Sequence, residues 1–139
     1  MGEGDNIKVV QEAYAAFGRG DMQAILDRLD DSVAWTAVYG AGPQVPQGGE
    51  RRGKAAVADF FKQLPSQVTF SAFEPREFIA TGDKVVALGH YVGKTPVGKS
   101  FDLDFAMVFT LRNGKVVHFQ EFTDSAAVNS AYTAAGVTA

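Results

Sequence analysis

Two polar residues, His90 and Glu121, fall on strand faces that otherwise read as apolar. In Lys84–Val92 the alternation groups Val86, Leu88, His90 and Val92, and in Lys115–Thr123 it groups Val117, Phe119, Glu121 and Thr123. A carboxyl group taken out of water has its pKa pushed upward, so it can give or take a proton near neutral pH. On this reading Glu121 moves the proton, and His90 orients it or stabilises developing charge. The plain alternative is a hydrogen-bonded structural histidine and a glutamate turned outward by a bulge. Asp124, directly before Ser125-Ala126-Ala127, reads as a helix cap. Tyr14 and Trp35 carry polar tips that can reach a cavity or sit satisfied in a core.

Other chemistries find less support. Gly48-Gly49-Glu50-Arg51-Arg52-Gly53-Lys54-Ala55 has phosphate-loop spacing, but Ala55 stands where a Ser or Thr would hold magnesium, and a Pro/Gly-rich loop precedes it instead of a buried strand. His90 and His118 lie on different strands with opposite expected faces, so no metal site is expected. There is no Gly-x-Ser-x-Gly elbow. The absence of cysteine excludes thiolate sites and disulfides. A net charge of −3, with no basic cluster beyond Arg51, Arg52 and Lys54, argues against nucleic acid as a partner. No apolar run is long enough for a signal peptide or a membrane span, which leaves the cytoplasm as the expected location. No cofactor is implied.

These candidate residues need a frame to hold them. At 139 residues and 46% hydrophobic, the chain has the size and apolar content of one domain, residues 1–139, able to fold unaided. Ile7, Val10, Tyr14 and Phe17 recur at helical spacing, with Asp5 or Asn6 as cap and Gly18 or Gly20 as stop. Asp21 caps a second helix carrying Met22, Ile25, Leu26 and Leu29. Val33–Tyr39 reads as a strand, and Gly40–Gly53 as a loop. Val57, Phe60, Phe61 and Leu64 mark a third helix closed by Pro65. Four strands follow, Val68–Ala80, Lys84–Val92, Lys99–Leu111 and Lys115–Thr123, and the tail after Asp124 can add a helical turn. Asn113-Gly114 is the strongest turn signal, because a type I′ turn needs positive φ at both central residues. Consecutive hairpins predict an antiparallel sheet, and the whole an α+β domain with three helices on one face.

The run Val9-Val10-Gln11 through Gly20-Asp21, Asp31-x-Val33-x-Trp35, Gly53 before Phe60-Phe61, Gly82-Asp83-x-Val85, and Asn113-Gly114-Lys115-Val116 before Phe119-x-Glu121-Phe122-x-Asp124 together resemble the SnoaL-like branch of the NTF2-like superfamily. The resemblance implies a cone-shaped α+β domain with a deep apolar pocket. It does not imply one reaction, since such relatives include ketosteroid isomerases, polyketide cyclases, epoxide hydrolases, dehydratases and proteins that only bind. The ketosteroid isomerase Tyr falls at Ala13, beside Tyr14; its base falls at Thr36, and its second Asp at Ala106 or Met107. For the epoxide hydrolase relay, Arg76 is the one doubtful candidate for its Arg. A polyketide cyclase acidic position matches Glu121, while the supporting His resembles Met107, leaving His90 as a substitute.

The expected pocket is a concave space lined by Phe105, Met107, Phe109, Val86, Leu88 and Phe119, and closed by helices carrying Tyr14 and Phe60, with Trp35 and Thr36 at its edge. Its occupant is a small apolar molecule, handled either as the substrate of an isomerase, cyclase or hydrolase or as a ligand simply held. A homodimer through the outer sheet face is expected from the apolar Val85, Ala87, Tyr91, Ala106, Val108, Val116 and Phe122 assigned to it. Relatives dimerise in a similar way.

Overall fold

A computed structural model describes residues 2–134. The two ends of the expected 1–139 domain, residue 1 and residues 135–139, lie outside the described residues. Four helices and six strands follow in the order α1 (Glu3–Gly18), α2 (Met22–Leu26), β1 (Leu29–Ala37), β2 (Gly49–Arg52), α3 (Lys54–Gln67), β3 (Thr69–Thr81), β4 (Lys84–Lys94), β5 (Ser100–Arg112), β6 (Lys115–Phe122) and α4 (Ser125–Ala131). The strands form one curved, unclosed sheet in the order β2-β1-β6-β5-β4-β3. Bulges in β3 and between β5 and β6 help bend it. The result is the expected α+β architecture. Among the described residues no helix is long and apolar enough to cross a membrane.

Local chemistry explains where the elements start and stop. The Asp21 carboxylate accepts from the Ala24 N–H at 3.1 Å, and Asp124 accepts from the Ala127 N–H at 3.0 Å, so both act as N-caps. Asn113 and Gly114 have φ of 54° and 77°, as the β5–β6 hairpin requires. Helix α1 begins at Glu3, before the expected cap, and Asp5 reaches back to accept from the Gly2 N–H. Pro65 sits inside α3 instead of closing it; the helix ends at Gln67, where the Val68 N–H donates to the Leu64 carbonyl.

Two expectations about the sheet are corrected. The sheet is mixed, because β1 pairs with β6 in parallel, setting Trp35 beside Phe119. The loop after β1 contains a short edge strand, β2, antiparallel to β1. The tail forms α4, which gives a fourth helix beside the expected three.

Strand β4 is turned the other way from the expectation. Val85, Ala87 and Tyr91 are buried on the concave, helix-covered face, whereas Val86, Leu88, His90 and Val92 lie on the convex face. The reason is at Gly89 and Gly93. The Phe105 ring lies over the first and the Phe101 ring over the second, so closely that a Cβ at either glycine would come within 2.5 Å of ring carbon. Rings from β5 thus fill the gaps on the concave side of β4, and with two glycines and an alanine the strand's own concave set reads as less apolar than the convex one.

Candidate functional site

The concave face and the helices enclose a cavity of about 90 Å³, walled by aromatic rings. Helix α1 supplies Tyr14 and Phe17, α3 supplies Phe60 and Phe61, and the sheet supplies Trp35, Phe70, Phe73, Tyr91, Met107, Phe109 and Phe119. Trp35 stacks on Phe119 with ring centroids 3.9 Å apart, a direct result of the parallel β1–β6 register. Among the described residues of this lining, Glu121 is the one with a carboxyl group.

Glu121 is 9% exposed and held at two points. The Tyr91 hydroxyl donates to it at 2.6 Å, and the Val38 N–H donates at 3.4 Å. Val38 has φ of 44°, a strained conformation for a β-branched residue, which faces its N–H toward the carboxyl group just where β1 ends. Burial raises the Glu121 pKa from its ordinary value, and the two hydrogen bonds only partly offset that rise. The same burial, with the nearby Glu121 charge adding to it, pushes Tyr91 and Tyr14 upward and keeps both hydroxyls protonated. Tyr14 donates to the Met107 thioether at 2.9 Å, a weak acceptor that leaves the hydroxyl competent to serve a ligand oxygen.

Of the residues expected at the pocket, Tyr14, Trp35, Phe60, Met107, Phe109, Phe119 and Glu121 come together around the cavity. Phe105 is buried on the same side of the sheet but packs behind the cavity wall, against Phe73 and Tyr91. Thr36 alternates with the buried Trp35 and Ala37 and therefore points to the other face. Val86, Leu88 and His90 are also on the convex face, for the reason given by Gly89 and Gly93.

His90 does not approach Glu121. Its Nδ1 is 2.7 Å from Asp104, its Nε2 contacts Asp102, and both carboxylates are on the neighbouring strand β5. The Asp104 hydrogen bond leads in raising the His90 pKa, burial opposes it, and Asp102 adds to the rise. The partner of Glu121 is Tyr91 instead, which alternation had placed outside.

Gln47 also escaped the sequence reading, because it lies in the irregular segment before β2. It is 5% exposed and lines the cavity. Arg51 staples that segment: its guanidinium donates to the carbonyls of Gln47 at 3.0 Å and Pro46 at 3.2 Å and lies 4.7 Å from the centre of the Phe60 ring. Arg51, one of the basic residues that imitated a phosphate loop, therefore holds a loop against the cavity. A second, surface groove of about 370 Å³ shares Phe17, Ile25, Phe61, Leu64 and Phe70 with the cavity lining.

Residues 10–119 match the family described as SnoaL-like domain. An NTF2-like protein from Burkholderia xenovorans LB400 has a similar structure, with a TM-score of 0.85 and 29% identity over 96% of this chain and 99% of that one. TerC, co-crystallised with polyporic acid, gives a TM-score of 0.78 and 29% identity over 92% of this chain and 98% of its own. The uncharacterized protein YesE of Bacillus subtilis (strain 168) is 24% identical over 115 residues, 73% of this chain and 76% of YesE.

Proposed function

We propose that this chain, which belongs to the SnoaL-like domain family, binds a small, mainly apolar carbonyl compound in its cavity and moves a proton on it through Glu121. The observation that carries this reading is a single buried carboxyl group inside an aromatic cavity, with its pKa raised by burial and its position fixed by the Tyr91 hydroxyl at 2.6 Å. A carboxyl group whose pKa moves toward neutrality suits both halves of a proton shift. Neutral, it donates a proton to the substrate; ionised, it takes one from a carbon next to the carbonyl. That sequence serves isomerisation or ring closure. The co-crystallisation of TerC with polyporic acid supports a small-molecule occupant for a fold this similar.

Size constrains the substrate. A cavity of about 90 Å³ is smaller than the roughly 150 Å³ that accepts benzene. A ring-sized substrate therefore needs Phe17 or Phe61, which border both spaces, to swing toward the outer groove.

The test is deuterium incorporation at the methyl group of acetophenone in D₂O, followed by NMR. Wild type should accelerate exchange, and Glu121→Gln should lower that rate by about 10² or more. Equal rates in the two proteins would refute the proton-transfer role. A second reading, a pocket that only binds, draws on the same lining: among the described residues it offers no second carboxyl or imidazole group, and Met107 lies at the β5 position paired with Glu121. That reading gains if acetophenone binds both proteins while neither accelerates exchange.

The convex face supports assembly as a homodimer, through a patch different from the one first expected. Val85, Ala87, Tyr91 and Val116 are buried on the core side, while Val86, Leu88, Ala106, Val108 and Phe122 make up the convex patch. Leu88, Ala106 and Phe122 form one row across β4, β5 and β6, with Leu88 36% and Phe122 37% exposed.

A further inference from the structure

Two buried polar atoms at the cavity have no hydrogen-bond partner among the described residues: the indole Nε1 of Trp35 and the amide Oε1 of Gln47. Both residues are more than nine-tenths buried, and both line the same cavity as Glu121. Buried donors and acceptors are almost always paired, so two exceptions on one cavity wall call for a physical reason.

The orientation of the Gln47 amide is fixed by its neighbours. The Tyr132 hydroxyl donates its single proton to the Gln67 carbonyl at 2.9 Å, so it can only accept from Gln47, at 2.6 Å. Gln47 must therefore present Nε2 to Tyr132, which leaves Oε1 as a free acceptor. Trp35 is the chain's one tryptophan, and its indole nitrogen can only donate. The unmatched pair is thus one acceptor and one donor.

We infer that Gln47 Oε1 and the Trp35 indole N–H are the contacts by which the cavity reads its ligand, and that the ligand class is a small, mainly apolar compound bearing both a hydroxyl and a carbonyl. This rests on the proposed ligand-holding role of the cavity and narrows it. The hydroxyl donates to Gln47, the carbonyl accepts from Trp35, and the hydrocarbon remainder meets the aromatic wall. A site of this type rejects an analogue lacking either group, because its own polar atom then stays buried and unpaired.

The experiment uses three probes of similar size on the full chain: 4-hydroxyacetophenone, 4-methylacetophenone and 4-ethyltoluene. Binding is read by Trp35 fluorescence and by the single indole N–H cross-peak in a ¹H–¹⁵N NMR spectrum. The hydroxyketone should bind about tenfold more tightly than 4-methylacetophenone, the scale of one hydrogen bond. Both ketones should move the indole N–H downfield, and the hydrocarbon should not. Gln47→Met should remove the preference for the hydroxyl and keep the indole shift. If that variant does not fold, the wild-type ranking and indole shift still decide. Equal affinity for all three probes, or an indole peak unmoved by the ketones, overturns the inference while leaving the ligand-holding role intact. Failure of all three probes to perturb Trp35 overturns both.

Discussion

Replacing Glu121 with Gln should change how stability depends on pH, with a sign that follows from the structure. In the folded protein burial raises the Glu121 pKa above its ordinary value of 4.5, so above that pH the folded state holds a proton that the unfolded chain has released. Stability from this group is therefore full below the unfolded pKa and declines as pH rises through the folded pKa. The decline has a limiting slope of about 1.4 kcal/mol per pH unit, the value for one proton. The Gln variant has no such slope. In acid it should be the less stable protein by about 1 kcal/mol, because the neutral carboxyl keeps a lone pair on each oxygen for the Tyr91 and Val38 donors whereas the amide nitrogen offers none, and the longer 3.4 Å bond from Val38 is the one given up. At higher pH the order reverses, since the variant never has to bury a charge. Urea unfolding of both proteins from pH 4 to 8 gives a difference curve in which all shared titrations cancel. A flat difference curve would refute the argument, because Glu121 would then titrate alike in the folded and unfolded chains.

Phe105→Ala should destabilise the fold by about 3–5 kcal/mol in the same assay, since the ring is buried against Phe73, Tyr91 and the bare backbone of Gly89. Gly89→Ala should cost about 1–3 kcal/mol, because its Cβ would lie 2.3 Å from the Glu74 carbonyl oxygen; a neutral result would mean β4 is turned as the alternation first suggested. His90 should titrate above 6.5 in NMR spectra, because only the doubly protonated ring can donate to Asp102 and Asp104 at once. Its contribution to stability is complete below 6.5 and lost as pH rises through the folded value, and Asp104→Asn should lower that value; a wild-type value at or below 6.5 would contradict the bridge. Val108→Asp combined with Phe122→Lys should halve the mass seen by sedimentation while leaving Trp35 fluorescence unchanged, and a wild-type mass near 14.8 kDa at micromolar concentration would end the dimer proposal.

Features written in adjacent residues were legible in the sequence, and features that depend on distant ones were not. Asp21, Asp124 and Asn113-Gly114 act on backbone within a few residues, so their capping and turn roles can be read directly. The concave face of β5 was readable because Phe101, Phe105, Met107, Phe109 and Leu111 fill their own positions. Strand β4 was not, because its concave positions at Gly89 and Gly93 are filled by rings from β5. That one inversion moved His90 into the expected site and Tyr91 out of it. Glu121 was found because its neighbours on β6 are apolar, whereas Gln47 reaches the cavity through a loop held by Arg51 and Tyr132, which leaves no periodic trace.

The strand carrying Glu121 also bears on the order in which the chain can assemble. Strand β6 lies between β1 and β5, so without it the β1–β2 pair and the β3–β4–β5 sheet share no strand pairing. On a ribosome, everything up to residue 114 can emerge and still leave two half-sheets with bare edges on β1 and β5. Joining them requires β1 to wait for a strand more than eighty residues downstream, a topology that folds slowly and exposes those edges meanwhile. The last of the six described strands to be synthesised is thus the keystone of the sheet as well as the carrier of the buried carboxyl group, and a nascent chain gains that carboxyl group in the same step that joins its two half-sheets.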